Sequence, residues 1–111
     1  MKIGKRKKGD VLILDLHGKI LMGEGIEELR DTINNAVNEK ETKLLLNFAD
    51  VPYLDSTGLG EVVRSYTSLN RANGLVKIVN LTNKVRDLLS VTKLITVFET
   101  FEDEEKAVAS F

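Results

Sequence analysis

Lys43-Leu44-Leu45-Leu46-Asn47-Phe48, continued by Val51-Pro52-Tyr53-Leu54 and then by Asp55-Ser56-Thr57-Gly58-Leu59-Gly60, is the stretch that decides the fold. Its first part is a nearly continuous apolar run, the pattern of a short strand covered on both faces. Beyond the Asp-Ser-Thr segment the period changes. Leu59, Val62, Val63, Tyr66 and Leu69 recur at helical spacing until Asn73-Gly74, where Gly74 is expected to supply a left-handed cap. A buried strand that turns through two hydroxyls and a carboxylate into a long helix is half of a crossover unit. It implies a parallel partner strand on the far side of that helix.

The rest of the chain repeats the unit. Upstream, Val11-Leu12-Ile13-Leu14-Asp15-Leu16 is a second buried strand that ends at His17-Gly18. Ile26, Leu29, Ile33 and Val37 then mark a helix that follows Gly25, with Glu27 and Glu28 in its first turn, where the helix dipole favours acids. Downstream, Leu75-Val76-Lys77-Ile78-Val79 reads as a strand. Val85, Leu88 and Leu89 mark a short helix, and Ile95-Thr96-Val97-Phe98 is expected to form a last short strand. Glu102-Asp103-Glu104-Glu105 opens a terminal helix that turns Ala107, Val108 and Phe111 inward, and its acids act as dipole partners rather than metal ligands. At the other end, Lys5-Arg6-Lys7-Lys8 leads into the turn signal Gly9-Asp10, as in an exposed edge strand guarded by lysines. The expected architecture is a single α/β domain over residues 1–111. Its mixed sheet has four to five strands, an N-terminal antiparallel hairpin followed by parallel strands, packed with about four α-helices.

Composition limits the chemistry. A chain of 111 residues is one domain with enough apolar content for a core of its own. There is no cysteine, which excludes disulfides, thiol catalysis and thiolate metal sites and fits a reducing cytoplasm. The net charge of −1, the absence of tryptophan and the few aromatics argue against direct nucleic-acid binding. No apolar run approaches the ~20 residues that span a bilayer, and the basic start lacks the apolar segment of a signal peptide, so a cytoplasmic protein without a membrane partner is expected. Phosphate-loop, dinucleotide and nucleophile-elbow patterns are missing, so no cofactor is expected. His17 is the only histidine, and a catalytic pairing with Ser56, oriented by Asp55 or Asp15, has nothing in its spacing to support it. The chain reads as a non-enzyme.

At Ser56 the features agree with one another. Asp55 or Ser56 can cap the helix, and Gly58 removes bulk from its first turn. An exposed serine there can accept a phosphate or dock a partner, and a well-capped turn presents the same residues. A phosphate would bring about −1.5 to −2 charges to a helix end that tolerates them, so its effect would fall on a partner surface rather than on the fold.

Asp10 to Gly18, the Lys43–Phe48 strand with Val51 to Gly60, Gly74 to Leu81, and Val85-Arg86-Asp87-Leu88-Leu89 together resemble a STAS domain of the bacterial anti-sigma factor antagonist family. The resemblance implies that Ser56 is phosphorylated by an anti-sigma factor that is also a serine kinase. By the same resemblance the unphosphorylated form binds that factor and frees the sigma factor, and a PP2C-type phosphatase resets the switch. On this reading Ser56, Thr57, Gly58 and Leu59 form the centre of the contact, flanked by Asp55, Ile20, Leu21 and Met22. A non-catalytic STAS subunit of a signalling scaffold or lipid-transport ABC complex is the alternative. Two departures from the family stand out. Lys19-Ile20-Leu21-Met22-Gly23 lacks the frequent acidic residue, and Val91-Thr92-Lys93-Leu94 puts Lys93 where a glycine is common, at a left-handed position.

Overall fold

The glycine-aspartate turn folds the basic segment back on the first apolar run. β1 (Lys2–Lys8) pairs antiparallel with β2 (Val11–His17), and Gly9 takes the positive φ that the tight turn needs. In the computed structural model, which describes residues 1–111, the remaining strands are parallel: β3 (Lys43–Asp50), β4 (Leu75–Val79) and β5 (Thr100–Phe101). The five strands lie in sequence order. Crossovers of one hand between consecutive parallel neighbours place their helices on the same face of a sheet. Accordingly α1 (Ile26–Asn38), α2 (Ser56–Arg71) and α3 (Asn83–Val91) share one core with Leu12, Leu14, Leu16, Leu44, Leu46 and Ile78. The opposite face carries a smaller core of Val11, Ile13, Leu45, Val79 and Ala107, covered by α4 (Glu104–Ala109). The all-apolar reading of the strands follows from this double covering.

Polar groups on the smaller face are also accounted for. Asp15 accepts hydrogen bonds from Arg6 at 2.6 and 2.8 Å and from Asn47 at 2.8 Å, while Glu104 is held by Arg6 and Lys8, each at 2.6 Å. On the main-core side, Lys7, paired with Leu12, reaches Glu41 at 2.8 Å. The basic run is therefore largely neutralised by the chain's own acids. Of the terminal acids, Asp103 caps α4 through the Glu105 amide and Glu104 ties the helix to β1. Lys77, almost fully buried in β4, donates to the Ser110 carbonyl at 2.8 Å and lies 4.9 Å from the centre of the Phe111 ring.

Two local expectations are corrected. Ile95–Phe98 is not a strand: Leu94–Thr96 forms a 3-10 turn, and pairing begins only at Thr100. Leu94, Ile95 and Phe98 recur at helical spacing, which turns them to the main core, where Phe98 stacks edge-on against Tyr66 at 5.3 Å. Lys93 opens that turn in the left-handed region, with φ of 64°, as its place in the sequence suggested. The left-handed residue after α2 is Asn73, with φ of 62°, rather than Gly74. The Gly74 amide donates to the Leu69 carbonyl and the Asn73 amide to Asn70, the two bonds of a Schellman closure. Gly74 instead sits where packing is tight: a Cβ there would stand 2.9 Å from Leu69 Cδ1 and 3.1 Å from the Thr42 carbonyl oxygen.

Candidate functional site

The β2–α1 and β3–α2 connections meet at the carboxyl end of the parallel strands. Ile20 and Leu54 form an isolated parallel bridge there. The Ile20 amide donates to the Tyr53 carbonyl and the Asp55 amide to the Ile20 carbonyl, both at 3.3 Å. Beyond the bridge, Leu21 and Glu24 exchange two backbone hydrogen bonds of 2.8 Å around Met22-Gly23, with Gly23 at φ of +79°. This two-residue turn holds Met22 out from the surface, 76% exposed.

Asp55 joins the turn to the helix. Its side chain is the N-cap of α2, with Oδ1 accepting from the Gly58 amide at 2.8 Å, and Oδ2 accepts from the Met22 amide at 3.0 Å. The Met22 donor first, and the Gly58 donor after it, hold the Asp55 carboxyl below the usual carboxylate range. Gly58 packs its bare Cα against the Ile20 backbone, where a Cβ would overlap the carbonyl oxygen. Helix start and turn are thus one rigid unit.

Ser56 is the first helical residue, exposed, and its hydroxyl makes no hydrogen bond. Thr57, also exposed, lines a cleft of about 390 Å³ with Met22, Gly25, Glu27 and Arg30. One turn below Thr57, the buried Glu61 carboxylate accepts from Arg30 at 2.8 and 3.1 Å and from Arg64 at 3.0 Å, fastening α1 to α2.

The residues expected at a partner contact therefore separate into two groups. Asp55, Ser56, Thr57, Leu21 and Met22 come together at the surface, with Asp55 and Leu21 half-buried. Ile20, Gly58 and Leu59 do not offer side chains: Ile20 is fully buried, Leu59 is 8% exposed, and both belong to the main core. Gly58 has no side chain and Leu59 lies on the core side of α2, while for Ile20 the physical reason is the bridge. It alternates side chains, so Ile20 and Leu54 turn inward while their neighbours turn out. Sequence reasoning missed Tyr53, 46% exposed beside the same bridge, and the Arg30–Glu61 tie. Tyr53 lies in an apolar run, Val51-Pro52-Tyr53-Leu54, whose ends are buried and whose middle is exposed, a pattern composition does not display. His17 Nδ1 lies 2.8 Å from Asp50 Oδ2, and Asp15 is taken by Arg6 and Asn47, so neither acid considered for a His17 pairing serves it.

Fold and site define a small mixed α/β domain that presents one uncommitted serine hydroxyl at a capped helix start. The chain belongs to the STAS domain family, whose profile matches residues 2–107. It is 24% identical over its whole length, and over 95% of the relative, to BtrV of Bordetella bronchiseptica, whose name assigns it provisionally to the anti-sigma factor antagonists. The crystal structure of a Thermotoga maritima protein with the same provisional assignment superposes with a TM-score of 0.89 at 22% identity, covering 97% of this chain and 92% of that one. The Bacillus cell-fate determinant SpoIIAA, in its phosphorylated form, gives a TM-score of 0.75 at 20% identity and covers 98% of each chain. No helix is long and apolar enough to cross a membrane.

Proposed function

We propose that this protein is an anti-sigma factor antagonist that works as a binding module in the cytoplasm rather than as an enzyme. Its unphosphorylated form binds an anti-sigma factor with serine kinase activity and releases the sigma factor. Transfer of the terminal phosphoryl group of ATP to Ser56 Oγ then ends the contact. That step forms one O–P bond, breaks the bond to departing ADP and passes the hydroxyl proton to a base of the kinase. A PP2C-type phosphatase reverses the modification.

The observation that carries the reading is the state of the Ser56 hydroxyl. It is exposed at the start of α2 and free of hydrogen bonds, beside an Asp55 carboxylate whose two oxygens are already occupied by backbone amides. The fold asks nothing of that hydroxyl. A phosphate there adds charge at a helix start, where it is tolerated, and next to a carboxylate that a partner surface must also meet. The existence of a phosphorylated form of SpoIIAA, on the same fold, supports the choice.

Ser56→Asp is expected to keep the melting temperature within a few degrees of wild type and to weaken binding to the kinase at least tenfold in titration calorimetry. Ser56→Ala is expected to bind and to resist labelling by radioactive ATP. Full-strength binding by Ser56→Asp, together with undiminished labelling of Ser56→Ala, would refute the assignment of Ser56.

A further inference from the structure

The motif holds two glycines in the first two turns of α2, and the fold accounts for only one of them. Gly58 is buried against the Ile20 backbone. Gly60 is exposed, its φ is not positive, and a Cβ built on it would meet nothing within 4 Å. Glycine is the poorest helix former after proline, and at an open interior position of a 16-residue helix it works against the element that carries it.

Position 60 lies four residues after Ser56, on the same face of the helix. Helical side chains lean toward the N-terminus, so any side chain at 60 would project over the turn that carries the Ser56 hydroxyl. A serine hydroxyl stands only one carbon from the backbone. For phosphoryl transfer the donor phosphorus must come within about 3–3.5 Å of that oxygen, so the kinase surface must lie almost on the helix itself.

We infer that Gly60 is a positioning residue for the partner: it keeps the Ser56 face of α2 bare so that main chain of the serine kinase can lie against the second turn while its nucleotide reaches Ser56. This rests on the phosphorylation reading above and adds to it a residue that never touches phosphate. The occupant is the kinase, because the bare face is continuous with the acceptor serine. On the neighbouring face Thr57 lines the cleft instead, together with Arg30 of α1.

The test uses the full chain with the purified serine-kinase anti-sigma factor and labelled ATP. Gly60→Ala is expected to raise the melting temperature by about 4–8 °C. At limiting concentrations of this protein, labelling of Ser56 is expected to fall at least tenfold through KM, with kcat changed far less, and Gly60→Leu should fall further. A variant that is labelled like wild type, or one that melts below wild type, overturns the inference, because the glycine then serves either nothing or the fold. If the wild-type chain itself is neither bound nor labelled, the phosphorylation reading fails and takes this contact with it, an outcome distinct from a competent wild type beside an equally competent Gly60→Ala.

Discussion

Replacing Gly58 by alanine tests the rigid unit on which the site depends. A Cβ at this position would overlap the Ile20 carbonyl oxygen and stand 2.8 Å from its carbon and 3.1 Å from Ile20 Cγ2. Ordinary contact begins at 3.4 Å, so the carbon alone must retreat by about 0.6 Å and the oxygen by more. Backbone on both sides resists this. The Ile20 carbonyl accepts from the Asp55 amide, the Ile20 amide donates to Tyr53, and the Ile20 side chain is fully buried. Overpacking of this kind costs about 1–3 kcal/mol, and the upper end applies because main chain rather than a side-chain tip must move. Better helix propensity returns about 1 kcal/mol at most. A net loss of about 2 kcal/mol is expected, a fall of roughly 8–16 °C in melting temperature for a domain of this size. Urea denaturation of Gly58→Ala beside wild type measures it, with amide exchange at Met22 showing whether the turn moves. An alanine variant within 0.5 kcal/mol of wild type, with Met22 still protected, would mean that the helix start does not rest on the Ile20 backbone.

Three other outcomes follow from single contacts. The Glu104 carboxyl is lowered from 4.5 to about 2, first by Arg6 and then by Lys8. A depressed carboxyl contributes its stability above the unfolded value and loses it as pH falls, here between about pH 4.5 and 2. With both cations well exposed, screening reduces the contribution to about 1 kcal/mol, and Glu104→Gln should flatten that part of the acid denaturation curve; an unchanged curve would assign the acid loss elsewhere. Asp55→Asn leaves one carbonyl oxygen for two amide donors, so hydrogen exchange at Met22 or at Gly58 should accelerate while its fellow stays protected, and equal protection of both would contradict the shared acceptor. Asn73→Gly should stabilise by up to about 1 kcal/mol because φ of 62° suits glycine, whereas a loss in thermal melting would place the left-handed residue elsewhere.

Most of the fold was legible from periodicity. Leu44, Leu45 and Leu46 on both faces of one strand demand covering layers, and the change to helical spacing after Asp55 names the connection between parallel strands. The failures were local: one was a short apolar run that suits several conformations, the other the choice between two adjacent turn residues. Ile95–Phe98 has strand composition, but its spacing served the core better as a tight turn. The Asn73-Gly74 pair gave the right place for the end of α2, but either residue suits the left-handed region, and it is Asn73 that adopts it.

The site divides along the same line. By itself the sequence determined that Asp55 and Ser56 begin a helix after a buried strand, because capping chemistry and hydrophobic period are local properties carried by neighbouring residues. Only tertiary structure decided that residues 20–24 lie against that helix start, that Asp55 serves both segments, and that Ile20 and Leu59 face the core while Met22 and Tyr53 face out. Those facts depend on bringing together segments some thirty residues apart in sequence, and composition looks the same whichever side of the bridge turns inward. Gly58 and Gly60 show the difference most directly. They are identical in sequence and two positions apart, yet one is pressed against the Ile20 backbone and the other is open to whatever approaches Ser56.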